Sequence, residues 1–179
     1  MFNFMGSITK VKPDRLAMQD VVEHQEWAYP IKWLVFNKMM GVSENADEYQ
    51  SVMKASSFTL CPVGTADDNY RFWEAIEAGS IPIYVPRNVS LISETSALST
   101  RGERDCPGSF DDVWSTNPPI VQLLSWASLP AFLDSMTEDK IARMRENLVM
   151  WNHMFWRNTT RRLDEAITRG LQQFSTHRK

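Results

Sequence analysis

The chain has 179 residues, 43% of them hydrophobic and 23% charged, which suffices for one globular core and little more. A formal net charge of −3, with no lysine-rich tract, argues against a non-specific nucleic-acid binder. No apolar run approaches the ~20 residues that cross a bilayer, and the opening MFNFMGSITK lacks a secretory hydrophobic region; the expectation is a soluble chain without membrane contact.

The segment Met1–Ser7 (MFNFMGS) predicts a short apolar strand that breaks at Gly6. Pro13 and Asp14 open a helix with Leu16, Met18, Val21, Val22 and Trp27 as apolar positions, since proline is tolerated in a first turn. Ile31–Phe36 reads as a second strand, and Asn45 to Ala55 as a short helix leading into a strand at Phe58–Cys61. A helix over Tyr70–Ala78 follows, closed by Gly79 in the C′ position, and then a strand at Ile81–Val85. Val89 to Pro118, rich in Ser, Thr, Gly and Asp without a period, reads as a long surface loop. Ile120–Leu124 is the last expected strand; Ser128 is expected to cap a helix through Asp134, with Pro130 in its first turn. Thr137 opens a long helix with Ile141, Met144, Leu148, Trp151, Phe155, Leu163 and Ile167 on one face. Alternating strands and helices predict an α/β fold with a doubly wound, mostly parallel sheet. The division expected is a sheet domain over 1–136 and a long C-terminal helix over 137–179 packing on it.

Residues 57–85 (SSFTLCPVGTADDNYRFWEAIEAGSIPIYV) carry the functional signal. They form a βαβ pattern, which puts the loop and the helix start at the carboxyl edge of the sheet, where open α/β folds bind ligands. The helix start offers backbone N–H groups, and Arg71 supplies a guanidinium; both suit an anion. Glu74, one turn on, can accept hydrogen bonds from sugar hydroxyls. A nucleotide sugar would use all three.

Each of these residues also has a plainer use. Cys61-Pro62-Val63-Gly64 either lets the backbone approach a ligand or is an ordinary strand-to-helix turn around a buried cysteine. Asp67 and Asp68 read as helix-capping acids and lack the Asp-x-Asp spacing that holds a metal–diphosphate. Tyr70 and Glu74 share a helix face, while Arg71 and Glu74 would otherwise make a surface ion pair of little worth. Trp73, Ile76 and Ala78 are expected to turn toward the sheet; Gly79 and Pro82 are expected to shape the turn. The loop SITKVKPDR brings Lys10, Lys12 and Arg15 beside Gly6, as a diphosphate neighbour or a solvated basic loop. His24, His153 and His177 are far apart, so no metal site is expected. Cys61 and Cys106 exclude a disulfide framework but allow one bridge. Trp33, Trp73 and Trp151 fall in apolar stripes, and Trp151, Phe155 and Trp156 read as core or interdomain packing. A signalling-type doubly wound domain would need an acidic pocket at the strand ends, which the sequence lacks.

The run FTLCPVG, then YR, EA and GSIP, resembles the donor-binding half of exostosin-type glycosyltransferases, above all the ribitol xylosyltransferase family of O-mannosyl glycan elaboration. The opening strand with Gly6 and Arg15, the PIVQLLSW segment followed by LPAFL, and the helix around Trp151 fall in matching order. The likeness covers nearly the whole chain but only the carboxyl-terminal half of such an enzyme. It implies a Rossmann-like domain, one of the two that face each other in the GT-B arrangement, with the acceptor-binding domain upstream. It further implies that the chain binds a UDP-sugar, UDP-xylose above others, for inverting transfer to a glycan or ribitol-phosphate acceptor without a metal or other cofactor. The donor site it implies comprises Gly6, Arg15, Cys61, Pro62, Gly64, Tyr70, Arg71 and Glu74. Glu74 would hold the ribose, Arg71 would neutralise the diphosphate, and Tyr70 would line the nucleotide pocket. The catalytic base is expected from the acceptor domain, and a Golgi lumenal location follows by the same resemblance. A stand-alone or degenerate nucleotide-sugar-binding domain is the other reading. The triplets Asn88-Val89-Ser90 and Asn158-Thr159-Thr160 fit the glycosylation pattern, which arises often by chance.

Overall fold

The computed structural model describes residues 1–6, 8, 12–28, 30–35, 46–63, 70–86 and 116–176. The strands are β1 (Phe2–Gly6), β2 (Ile31–Val35), β3 (Phe58–Leu60), β4 (Ile81–Tyr84) and β5 (Val121–Gln122). The helices are α1 (Pro13–His24), α2 (Ala46–Ala55), α3 (Tyr70–Glu77), α4 (Leu129–Asp134) and α5 (Glu138–Thr176), with a 3-10 turn at Trp126–Ser128 before α4. The described strands form one sheet in the order β2-β1-β3-β4-β5, and every pairing is parallel. The β1-to-β2 step runs toward one edge, whereas β3 to β4 to β5 runs toward the other. With right-handed crossovers, α1 then lies on one face, and α2 and α3 lie on the opposite face. The expected doubly wound parallel sheet is what the chain forms, with β3 and β4 adjacent around α3.

Register sorts the strand residues by face. Phe2, Phe58 and Ile81 are aligned partners on one side; Asn3, Thr59 and Pro82 are aligned on the other. Phe2 meets the Trp27 ring edge-on at 4.9 Å and Phe58 meets Phe132 at 5.5 Å, so the α1 side and α4 cover the first face. The second face carries a buried polar link: Asn3 Nδ2 donates to Thr59 Oγ1 at 2.9 Å, and the Thr59 and Ser80 hydroxyls are 2.7 Å apart.

Pro82 lies within β4 and not in the preceding turn. Ile81 N donates to Ser57 O and Ile83 O accepts from Cys61 N, so the missing Pro82 donor faces the β5 side. The first β4–β5 pair, Ile83 with Val121, begins only after it, and no ladder bond is lost. Gly79 closes α3 as expected, at φ +72. Gly79 N bonds to Ile76 O and Ser80 N to Ala75 O, a Schellman pair that requires the left-handed residue between them.

Several elements differ from the sequence reading. In α1, Arg15, Met18 and Val22 are buried, whereas Leu16 is 38% exposed. At about 100° per residue, Leu16 sits roughly opposite Met18, which hands its place to the stem of an arginine. On α3, Phe72, Ala75 and Ile76 are buried; Trp73 turns instead to α5, where it approaches Trp151, Phe155 and Trp156. Ser128 makes no side-chain cap: it already has helical dihedrals because the 3-10 turn runs directly into α4. The last strand is only Val121–Gln122, and Leu124 is exposed. Thr137 does cap the long helix, accepting from Lys140 N at 3.3 Å. Its apolar face packs through Leu148 to Phe155, but Leu163 and Ile167 are 58% and 52% exposed. A helix of 39 residues runs about 58 Å, longer than the sheet it packs against. The expected loop over Val89 to Pro118 lies almost wholly outside the described residues.

Candidate functional site

The chain path reverses between β1 and β3, adjacent strands whose connections leave in opposite directions. Such a switch point opens a crevice at the carboxyl ends of its strands. Here those ends are Met5 and Gly6 of β1 and the Cys61-Pro62-Val63 segment after β3, all of them buried. The starts of α1, α2 and α3 reach the same edge, because helices return antiparallel to the strands they join. Lys12 immediately precedes α1, Asp14 and Arg15 lie in its first turn, Tyr49 comes from α2, and Tyr70, Arg71 and Glu74 come from α3.

Arg71 crosses into this crevice. Its Nη2 donates to Met5 O at 2.5 Å, and its guanidinium carbon stands 4.8 Å from the centre of the Phe4 ring. Gly6 makes room for it: a Cβ on Gly6 would lie 2.5 Å from Arg71 Nη2. Arg15 is buried nearby in α1. Burial lowers its pKa, the charge of Arg71 lowers it further, and Asp14 opposes both. Lys12 is lowered by burial and by repulsion from Arg15 and Arg71. Lys12, Arg15 and Arg71 thus act on one another as a like-charged group, an arrangement that an anion would relieve.

Asp14 ties the crevice together. One carboxylate oxygen accepts from Val63 N at 2.6 Å and the other from Trp126 Nε1 at 2.7 Å, joining α1, the segment after β3 and the 3-10 turn. Glu74 does not pair with Arg71; its Oε2 accepts from the Tyr49 hydroxyl at 2.5 Å. Burial raises the Tyr49 pKa, Arg71 works against the rise, and the Glu74 bond and charge add to it, so the phenol stays a donor at any ordinary pH. Cys61 is a free thiol, fully buried and pushed up to about 12 by that burial, with Arg71 opposing and Glu74 adding. Arg71 and Glu74 act on both Tyr49 and Cys61, so these groups share one environment.

Of the expected site residues, Gly6, Arg15, Cys61, Pro62, Arg71 and Glu74 converge on this edge. Tyr70 starts α3 but is 87% exposed. Gly64, Lys10, Asp67 and Asp68 lie outside the described residues. His24 and His153 are exposed on α1 and α5, and no group of three or more metal-ligating side chains occurs among the described residues. Nor does any described helix have the length and apolarity to cross a membrane. Asp14, Tyr49 and Trp126 carried no functional reading in the sequence. Asp14 figures there only with Pro13 at the opening of a helix, and Tyr49 reaches Glu74 across 25 positions with no motif linking them.

Fold and edge together define an α/β domain with a Rossmann-like parallel sheet and a cationic carboxyl edge. Residues 1–171 match the family described as the RXYLT1 C-terminal domain, and the chain belongs to that family. It is 25% identical over 174 residues to ribitol-5-phosphate xylosyltransferase 1 of Danio rerio, covering 92% of this chain and 37% of that protein. The Mus musculus protein of the same name is 28% identical over 160 residues, covering 86% of this chain and 34% of its own length. The Homo sapiens protein is 29% identical over 117 residues, covering 63% and 25%. The chain therefore spans a quarter to somewhat over a third of the curated relatives it matches.

Proposed function

We propose that this chain is the donor-binding part of an inverting glycosyltransferase and takes a uridine diphosphate sugar, UDP-xylose, at the β1–β3 edge. The observation that carries the reading is the gathering of Lys12, Arg15 and Arg71 at the switch point, with Glu74 one turn beyond Arg71 on α3. A diphosphate would relieve their mutual repulsion, and charge-assisted bonds from guanidinium groups suit its oxygens. Glu74 would accept from the ribose hydroxyls, Tyr70 would flank the nucleotide, and Cys61, Pro62 and Gly64 would let the backbone approach the phosphates. As an acceptor hydroxyl attacks the anomeric carbon, negative charge grows on the departing UDP; fixed cations stabilise it there without a metal ion. The acceptor would be a ribitol-phosphate-bearing O-mannosyl glycan in the Golgi lumen. The base that takes its proton would belong to an acceptor domain facing this one in a GT-B arrangement. Support comes from the family match and from the activity that its relatives are named for.

Calorimetric titration with UDP in the presence of a chelator tests this. The expected result is binding without added metal. Arg71→Ala should weaken UDP binding strongly and uridine binding much less, because only the diphosphate needs the guanidinium. Binding that appears only with manganese or magnesium refutes the metal-free part. No binding at all refutes the donor site.

A further inference from the structure

We infer that Tyr49 is a positioning residue of this site: its hydroxyl holds Glu74 by Oε2 and so presents Oε1 to the vicinal hydroxyls of a bound ribose. The inference rests on the assignment of Glu74 to the ribose made above. Glu74 stands exposed on the first turns of α3, where a glutamate ordinarily samples many rotamers at a cost that any ligand must meet on binding. A 2.5 Å bond from a half-buried phenol removes most of that freedom before a ligand arrives. A carboxylate has two oxygens, and Tyr49 occupies one of them, so the acceptor needed by a sugar hydroxyl remains.

The geometry of α2 makes Tyr49 a firm support. Met53, one turn below on the same helix face, is buried, and Ser56 beyond the helix end bonds back to Val52 O at 2.7 Å. Tyr49 therefore sits on an anchored helix whose start reaches the carboxyl edge of the sheet. Because burial and the Glu74 bond both favour the protonated phenol, the donor persists across the pH range of any assay. Arg71, one turn before Glu74, is held separately by Met5 O and the Phe4 ring. Diphosphate and ribose contacts are thus fixed by different partners, and they can be perturbed independently.

The test uses the full chain with UDP and 2′,3′-dideoxyuridine diphosphate as probes, titrated against wild type, Tyr49→Phe, Glu74→Ala and the double variant. Tyr49→Phe keeps the ring, and circular dichroism checks that the fold is retained. Because Tyr49→Phe returns Glu74 to many rotamers, whose ordering cost then falls on binding, it should weaken UDP about five- to tenfold. It should leave the dideoxy analogue within about twofold, and it should add nothing in the Glu74→Ala background. A purely packing role would move both ligands alike. Equal losses for the two ligands, additive losses in the double variant, or no loss of UDP affinity each overturn the role of Tyr49 while the donor site stands. Wild type that binds neither ligand overturns the donor site, and this inference with it.

Discussion

Replacing Gly6 by alanine separates the stability of the domain from its proposed hold on a diphosphate. A Cβ at that position would lie 2.5 Å from Arg71 Nη2, whereas ordinary contact begins at 3.4 Å, so the guanidinium must retreat by about 0.9 Å (3.4 minus 2.5). Taken along the bond to Met5 O, that retreat would lengthen it from 2.5 Å to about 3.4 Å, past the useful range. The bond is charge-assisted and worth about 1.5–3 kcal/mol, but Arg71 is only partly buried and regains water, so we expect a stability loss near 1 kcal/mol. No backbone strain is added, since Gly79, not Gly6, is the described glycine with positive φ. The proposed hold on a diphosphate suffers more: affinity for UDP should drop about tenfold, or ~1.4 kcal/mol, with uridine nearly unchanged. Urea unfolding and calorimetric titration of both ligands measure the two quantities. In an Arg71→Ala background, Gly6→Ala should cost no further UDP affinity. A second loss there, or an unfolding penalty above about 3 kcal/mol, would refute the idea that this glycine exists to admit Arg71.

Asp14→Ala leaves Val63 N and Trp126 Nε1 without their acceptor, which should cost about 2–4 kcal/mol in urea unfolding; a loss under about 0.5 kcal/mol would show the staple to be idle. Cys61 makes stability fall with alkali: its folded thiol, at about 12, keeps its proton when the unfolded one, near 9.0, has lost it. Its contribution is fully present below pH 9 and is lost as pH rises toward 12, at about 1.4 kcal/mol per unit. Tyr49 adds to that slope above pH 10, so the comparison is wild type against Cys61→Ala, whose unfolding curve should be flatter. On α5, Leu148→Ala should cost about 2–5 kcal/mol because the side chain is fully buried, and Ile167→Ala should stay within about 0.5 kcal/mol. Similar losses for the two would mean that the far half of the helix is packed.

Local chemistry was enough to read the alternating strands and helices, the Gly79 turn and the βαβ unit around Arg71 and Glu74. Apolar runs, glycine φ freedom and helix periodicity depend on neighbours within a few residues, so the sequence displays them directly. Sheet order, with its switch point between β1 and β3, depends on contacts between distant segments. The same holds for the pairing of Glu74 with Tyr49 instead of Arg71, and for the meeting of Asp14 with Val63 and Trp126 across 49 and 112 positions. Arg15 shows the limit most clearly. As a residue type it belongs in water, yet helix phase buries it beside Asp14 and Arg71, and only the assembled crevice makes that placement tolerable. Leu163 and Ile167 show the converse: they continue an apolar stripe in sequence, but the sheet ends before the helix does.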